Sequence, residues 1–428
     1  MVEKVDIIVI GATGFTGKHV VKELAALSKL SAYKTITWGV SGRSTEKVQL
    51  LLKEIAENDV DTSTILTVIS DVKDENALSN VTRRAKIVVN CTGPSTLLSE
   101  YIVKACIQTG THYVDISAEL YHILNVYRAY HKLAEEANVL IVPSCGFASL
   151  PTSTGLILLD KHYKGSLHTV ECYVELHIPK ECYFGGRNKA LVHYGTWECF
   201  VHEMSNMKKY KNLKKLTFPE AQNEPLPREL KKSFFHKHEG KWWFTYPGPD
   251  TEVDFMSQMY FKEKMGKKPV HFKAYTTMPL IVHFFIIIPL VFIAYYACRL
   301  KCFRNLMCKY PSFFSFGLMS HKGPSEKLRN DLKYTFTLTG KGSDSTAKPY
   351  TVKITGSDPA YRSTAATVLF SAVTILLERT KMPKGGVLMP EIVFYETNIV
   401  ERLKRNGINY EIVDSQPDNI NEIVVSTL

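Results

Sequence analysis

The first seventeen residues constrain this chain more than any others. Val5-Asp6-Ile7-Ile8-Val9-Ile10 is rich in β-branched residues, which predicts a strand buried on both faces. Gly11-Ala12-Thr13-Gly14-Phe15-Thr16-Gly17 follows at once, and then Val20, Val21, Leu24 and Leu27 recur at helical spacing. A strand, a glycine turn and a helix in that order frame a dinucleotide site. Glycines let the backbone approach a diphosphate, and an uncrowded helix start leaves N–H groups and a partial positive charge facing the anion. The spacing is GxxGxxG rather than GxGxxG, so the motif draws its weight from standing between strand and helix. Gly11, Thr13, Gly14, Phe15, Thr16 and Gly17 are therefore expected at a cofactor.

The rhythm continues to about residue 150. Strands are predicted over Thr35 to Ser41, Ile65 to Ser70, Lys86 to Cys91, Tyr113 to Asp115 and Val139 to Val142. Helices are predicted over Thr45 to Glu57, Glu100 to Thr109 and Tyr121 to Asn138. This alternation gives an α/β fold with a doubly wound Rossmann parallel sheet, whose ligands sit at the carboxyl ends of the strands. Arg43, Ser44, Asp71, Thr92, Gly93 and Gly146 all fall at such ends. Asp or Glu after the second strand would favour NAD. A guanidinium and a hydroxyl there suit a 2′-phosphate instead, so NADP is the expected cofactor, with NAD possible.

The order GATGFTG, SGRS, NCTGP, KAC, YVDISAE and CGFASLP resembles the saccharopine dehydrogenase family. The likeness is strongest to its membrane-associated branch, the saccharopine dehydrogenase-like oxidoreductases. It covers the whole chain, including His193-Tyr194-Gly195-Thr196-Trp197, Tyr310 to Gly317 and Lys384 to Val387. The resemblance implies an NAD(P)-dependent oxidoreductase on lipid droplets or the cytosolic face of membranes, with a role in lipid or glycolipid metabolism. The chain departs from the family's GFDSxPxD, carrying Ala148 and Ser153 where the carboxylates stand, and Ala118 replaces the glycine of DISGE. The residues after the Gly-Pro turn, Ser95 to Leu98, also differ from the family's aromatic segment. Hydride transfer to a carbonyl needs a proton donor. Asp115, Glu119, His193 and Tyr194 remain as catalytic candidates. If they do not serve, the alternative is a catalytically degenerate droplet-surface scaffold that keeps the Rossmann fold. Saccharopine chemistry itself is disfavoured by the altered site and the apolar segment. Tyr210 and Lys214 match the short-chain dehydrogenase YxxxK pair, but in a lysine-rich stretch where chance matches are common.

Composition bears on the remainder. The 428 residues carry a net charge of +11, and Phe200 to Lys333 holds 23 basic against 11 acidic residues. Beside an apolar stretch this points to an anionic membrane surface and not to nucleic acid. Pro279 to Cys298 is 20 residues without a formal charge. His283 and Pro289 lie inside it, and lysines and arginines flank both ends, from Lys262 to Lys273 and from Arg299 to Lys309. Positive charge on both sides favours a monotopic insert into a droplet monolayer or membrane surface over a span, with a buried core helix or dimer contact as the third alternative. A small lipid-like substrate is expected, and a homodimer is possible. Cys298, Cys302 and Cys308 are candidate acylation sites but read first as free thiols. The nine cysteines show no zinc-ligand spacing, so no metal is expected. Three regions follow: residues 1–150 as the Rossmann domain, 151–360 as an α+β domain carrying the apolar segment, and 361–428 as a helix and strand returning to the Rossmann domain.

Overall fold

The computed structural model describes residues 4–147, 149–184, 189–223, 226–280, 282–343 and 348–414. Ala148 and the side chain of His283 lie outside the described set.

The β-branched run forms β1 (Val5–Ile10), with Ile7 to Val9 fully buried. β2 (Trp38–Gly42), β3 (Leu66–Ile69), β4 (Ala85–Asn90), β5 (His112–Asp115) and β6 (Leu140–Val142) follow, close to the predicted bounds. Between them run α1 (Phe15–Leu27), α2 (Thr45–Ala56), α3 (Glu75–Arg83), α4 (Ser95–Thr109) and α5 (Leu120–Glu136). α4 starts five residues earlier than its predicted start, because Pro94 sits at its N-cap and Glu119 reaches its first amides. The rest of the chain contributes β7 (Leu167–His177), β8 (Val192–His193), β9 (Phe235–His238), β10 (Lys241–Thr245), β11 (His271–Thr276), β12 (Met319–Ser320), β13 (Lys333–Gly342), β14 (Tyr350–Ser357), β15 (Gly386–Val387) and β16 (Asn409–Asp414). Its helices include α6 (Leu150–His162), α7 (Tyr194–Thr217), α8 (Asp250–Met265), α9 (Val282–Ala297), α10 (Lys301–Lys309), α11 (Pro311–Phe314), α12 (Glu326–Asp331) and α13 (Thr364–Glu378).

The first sheet is parallel throughout, in the order β15-β6-β5-β4-β1-β2-β3. Six of its strands follow the Rossmann order, so the crevice lies where the order reverses, outside the exits of β1 and β4. The second sheet runs β16-β14-β13-β7-β11-β10-β9 and is mixed. Its β7–β11 pair is parallel, because the crossover between them carries α7 and α8. An α13 buried along its length returns to pack on α1, β4 and β5. One expectation is corrected: β16 does not join the Rossmann sheet. It pairs antiparallel with β14, while β15 is the strand that returns to β6.

Two helices are strongly apolar. The helical stretch Pro359–Lys381, which contains α13, has the length and composition to cross a membrane, but 78% of its apolar window is buried inside the protein. α9 has 16 residues, about 24 Å of helix, short of the ~30 Å hydrocarbon thickness. Ala294 and, just beyond α9, Cys298 pack on Trp197, Val201 and Met307, while Phe285, Phe292, Ile293 and Tyr296 are exposed.

Candidate functional site

Backbone geometry builds the nucleotide half of the crevice. Gly11 has φ +77°, and a Cβ there would lie 2.9 Å from Thr92 Cγ2 and 3.0 Å from the Cys91 carbonyl carbon. A Cβ on Gly17 would lie 2.1 Å from the Gly11 carbonyl oxygen, so only glycine lets the first turn of α1 close on the loop. Gly14 is the exposed N-cap of α1 and supplies no side-chain cap, and the first turn holds no acidic residue. The Gly14 amide bonds to the Gly11 carbonyl and the Lys18 amide to Gly14, so the first-turn amides of Phe15, Thr16 and Gly17 between them face an anion. A cradle that any side chain would fill, at an uncapped helix start, fits a dinucleotide diphosphate.

The adenosine side lies at the ends of β2 and β3. Arg43 is exposed in the loop beyond Gly42. Ser44 is the N-cap of α2 and accepts from the Lys47 amide at 3.3 Å, which leaves its hydroxyl proton to donate. Asp71 is exposed past β3 and turns one oxygen onto the Lys73 amide. On the nicotinamide side, Asn90 at the end of β4 accepts from both the amide and the hydroxyl of Thr92 and donates to Ser99 and Tyr113. Gly93 is left exposed, and a Cβ on it would lie 3.7 Å from Cys199 Sγ.

Several predicted site residues turn out to support the crevice. Gly146 is buried against Ile116 and Thr364 and does not line the opening. The Phe15 ring stacks on His193 at 4.6 Å and meets Tyr361 edge-on. His193 is the N-cap of α7, where Nδ1 accepts from the Gly195 amide at 3.1 Å. Burial lowers its pKa, so it stays neutral and is held as a cap rather than as an acid. The oxygens of Asp115 accept from the Tyr113 hydroxyl, the Ser117 amide and hydroxyl, and the Ser144 amide. Burial opposes its ionisation, yet His122 at 3.8 Å and the Ser117 hydrogen bonds outweigh that and keep its pKa below the usual carboxylate value. It fastens two loops as a carboxylate and has no proton to give. Glu119 is buried and caps α4 through the Ser95 and Thr96 amides, at 2.7 and 3.4 Å.

Tyr194 stands differently. Its ring lies 4.3 Å from that of His321, and its hydroxyl bonds to Glu198 and Cys308. Burial first, and those acidic neighbours second, raise the phenol pKa, so it keeps its proton. Successive turns of α7 then add Glu198, Cys199, His202 and Glu203. Burial raises Glu198, and burial with Glu119 raises Glu203 to about 7. Burial lowers His202, and the Cys199 thiol is pushed well up by burial and by Glu119. α7 thus carries a stack of polar groups to the exit of β4. Sequence reasoning missed all of them except Tyr194, although Tyr194, Glu198 and His202 recur at i, i+4 and i+8. Glu198, His202 and Cys308 are also metal-ligand types, with one ligand atom of each within 4.8 Å of the others. The Tyr194 hydroxyl joins Glu198 to Cys308 by hydrogen bonds. Tyr210 and Lys214 both turn to Glu252 near the far end of α7, so their YxxxK spacing serves packing there.

Comparison with known proteins agrees with this architecture. Residues 7–142 match the saccharopine dehydrogenase NADP binding domain, so the first domain is of the NADP-binding kind. A human saccharopine dehydrogenase-like oxidoreductase is 30% identical over 429 residues, covering 96% of this chain and 97% of its own length. An Arabidopsis thaliana relative named a probable mitochondrial saccharopine dehydrogenase-like oxidoreductase is 28% identical over 95% of this chain and 96% of its own. A Caenorhabditis elegans relative named lipid droplet localized protein is 27% identical over 95% of this chain and 98% of its own. Among solved structures, the apo saccharopine dehydrogenase (L-Glu forming) of Saccharomyces cerevisiae shares the fold, with TM-score 0.51, 14% identity, and coverage of 96% of this chain and all of that one.

Proposed function

The chain belongs to the saccharopine dehydrogenase-like oxidoreductases, and from that premise we propose that it is an NADP-dependent oxidoreductase held on a lipid surface, acting on a small lipid-like substrate in lipid or glycolipid metabolism. One observation carries the reading: α7 bears the polar stack over the exit of β4 and, through Trp197 and Val201, also packs on the apolar segment at Ala294 and Cys298. The crevice and the lipid-facing helix therefore share one rigid element. Localisation on a droplet or the cytosolic face of a membrane draws on the worm relative's name and on the exposed side chains of α9, while the plant relative's name points to mitochondria.

Bound NADP would supply hydride chemistry. The residues of this chain would do the rest. The amides at the start of α1 hold the diphosphate, and Arg43 with Ser44 takes the 2′-phosphate. Tyr194 holds a proton on its hydroxyl, and Glu198 can refill it from the other side. Cys199 meets the turn at Gly93 and so borders the reacting face. Phe292, Ile293 and Tyr296 dip into a monolayer, which delivers the substrate from the same side.

The scaffold alternative draws on Ser153 and on the structural roles of Asp115 and His193. The two readings separate in one experiment. The protein, with NADPH, is offered long-chain ketones, aldehydes and imines on vesicles, and oxidation of the nucleotide is followed. Turnover that Tyr194→Phe reduces about a hundredfold supports the enzyme. Binding of NADPH without turnover of any carbonyl or imine supports the scaffold.

A further inference from the structure

We propose that the protein carries a binding site for a phosphorylated lipid headgroup, separate from the nucleotide crevice and placed at the end of the apolar helix. A cavity of about 570 Å³ opens where the last turns of α7 meet the C-terminal end of α9. That volume lies within the range of small-molecule sites. Lys208, Lys211 and Lys215 project from one face of α7 at i, i+3 and i+7, with Asn212 beside them, and all four are exposed. Arg299 enters from the opposite wall, its guanidinium 4.7 Å from the centre of the Tyr295 ring. No Asp or Glu lines the cavity among the described residues. Lys214 also lines the cavity and is bound to Glu252 at 2.5 Å.

Three observations fix the class of ligand. Lys208, Lys211 and Arg299 around one small cavity match a phosphomonoester, which carries nearly two charges and three acceptor oxygens, better than a single carboxylate. A guanidinium held against aromatic rings is ordered before the ligand arrives. The position decides between a lipid headgroup and a free phosphate ester. Tyr296, Ile293 and Phe292 are exposed on the neighbouring turns of α9, so acyl chains can follow them while the headgroup enters the cavity. A soluble phosphate ester would leave that apolar surface uncovered.

The inference rests on the proposal that α9 faces lipid, and the test keeps the two apart. The full chain is floated with vesicles of phosphatidylcholine alone, of phosphatidylcholine with phosphatidylinositol 4-phosphate, and of phosphatidylcholine with phosphatidylserine at matched charge. Inositol phosphate in solution serves as competitor. The expected result is binding to all three, at least about tenfold tighter on the phosphoinositide vesicles than on the phosphatidylserine ones. Lys208→Glu with Lys211→Glu should remove that gain and leave phosphatidylcholine binding unchanged. Phe292→Asp should weaken binding to all three vesicle types, which reports on the apolar helix and not on the cavity. Equal binding to the two anionic vesicles, or a gain that survives in the double variant, overturns the headgroup site. So does inositol phosphate that binds tightly without any gain on vesicles, because the site would then take a free ester.

Discussion

The nucleotide crevice and the exposed face of α9, which we propose meets lipid, are encoded in opposite ways. The crevice is a matter of backbone: Gly11 and Gly17 are there because a Cβ would strike neighbouring main chain or Thr92, and the anion is met by amides. The α9 face is a matter of side chains on an ordinary helix, and the fold leaves those side chains exposed. The two apolar helices make the same point. α13 and α9 are both apolar, but α13 lies inside the protein against α1, β4 and β5, and α9 presents Phe292, Ile293 and Tyr296 outward. Hydrophobicity says that a helix needs cover. Only the fold says whether the protein itself provides it.

The same chemical change in the two helices should therefore give opposite outcomes. Val368 is fully buried in α13, so Val368→Asp strands a charge in the core and should cost several kcal/mol, enough to abolish cooperative unfolding in a thermal scan. Phe292 is 62% exposed, so Phe292→Asp should shift stability by no more than about 0.5 kcal/mol while releasing the protein from vesicles in a flotation assay. A folded Val368→Asp protein, or an unfolded Phe292→Asp protein, would break the comparison.

A smaller effect tests the crevice from its backbone side. Gly17→Ala places a methyl group 2.1 Å from the Gly11 oxygen and should cost about 1–3 kcal/mol of stability. Vesicle binding should persist, because the change lies in the other region. Smaller again is Arg43→Ala, which should weaken NADPH by roughly ten- to a hundredfold in a titration and leave NADH almost unaffected, since only the 2′-phosphate loses its partner. The smallest effect is a pH dependence. Burial raises the Asp250 pKa from 3.8 to about 7, with one oxygen bonded to Thr152. The folded state therefore holds a proton that the unfolded chain has lost between about pH 4 and pH 7. The contribution of Asp250 is complete below that window and is lost as pH rises through it. Asp250→Asn should make the fall in melting temperature across that window shallower.

Much of the first region was legible in the sequence because its determinants are local. A β-branched run, three glycines and a helical apolar pattern lie within 27 residues, and each acts on its immediate neighbours. The position of Arg43, one step past β2, was legible for the same reason. The roles of Asp115, Glu119 and His193 were not. Each is a polar residue at a strand end or a helix start, where a catalytic group and a cap look alike. What separates them is the set of amides that tertiary packing brings within reach, such as Ser144 on Asp115 and Ser95 on Glu119. The stack of Glu198, Cys199 and His202 was hidden because it meets the β4 exit from about a hundred residues away. The parallel β7–β11 pair and the placement of β16 in the second sheet are equally non-local.

The most direct measurement of the account is a calorimetric titration of NADPH into the full chain, run beside Gly17→Ala and Arg43→Ala. The account predicts one NADPH per chain, binding lost or severely weakened in the glycine variant, and a preference for NADPH over NADH that disappears with Arg43. Undiminished binding in the glycine variant, or no NADPH binding by the unaltered protein, would contradict it.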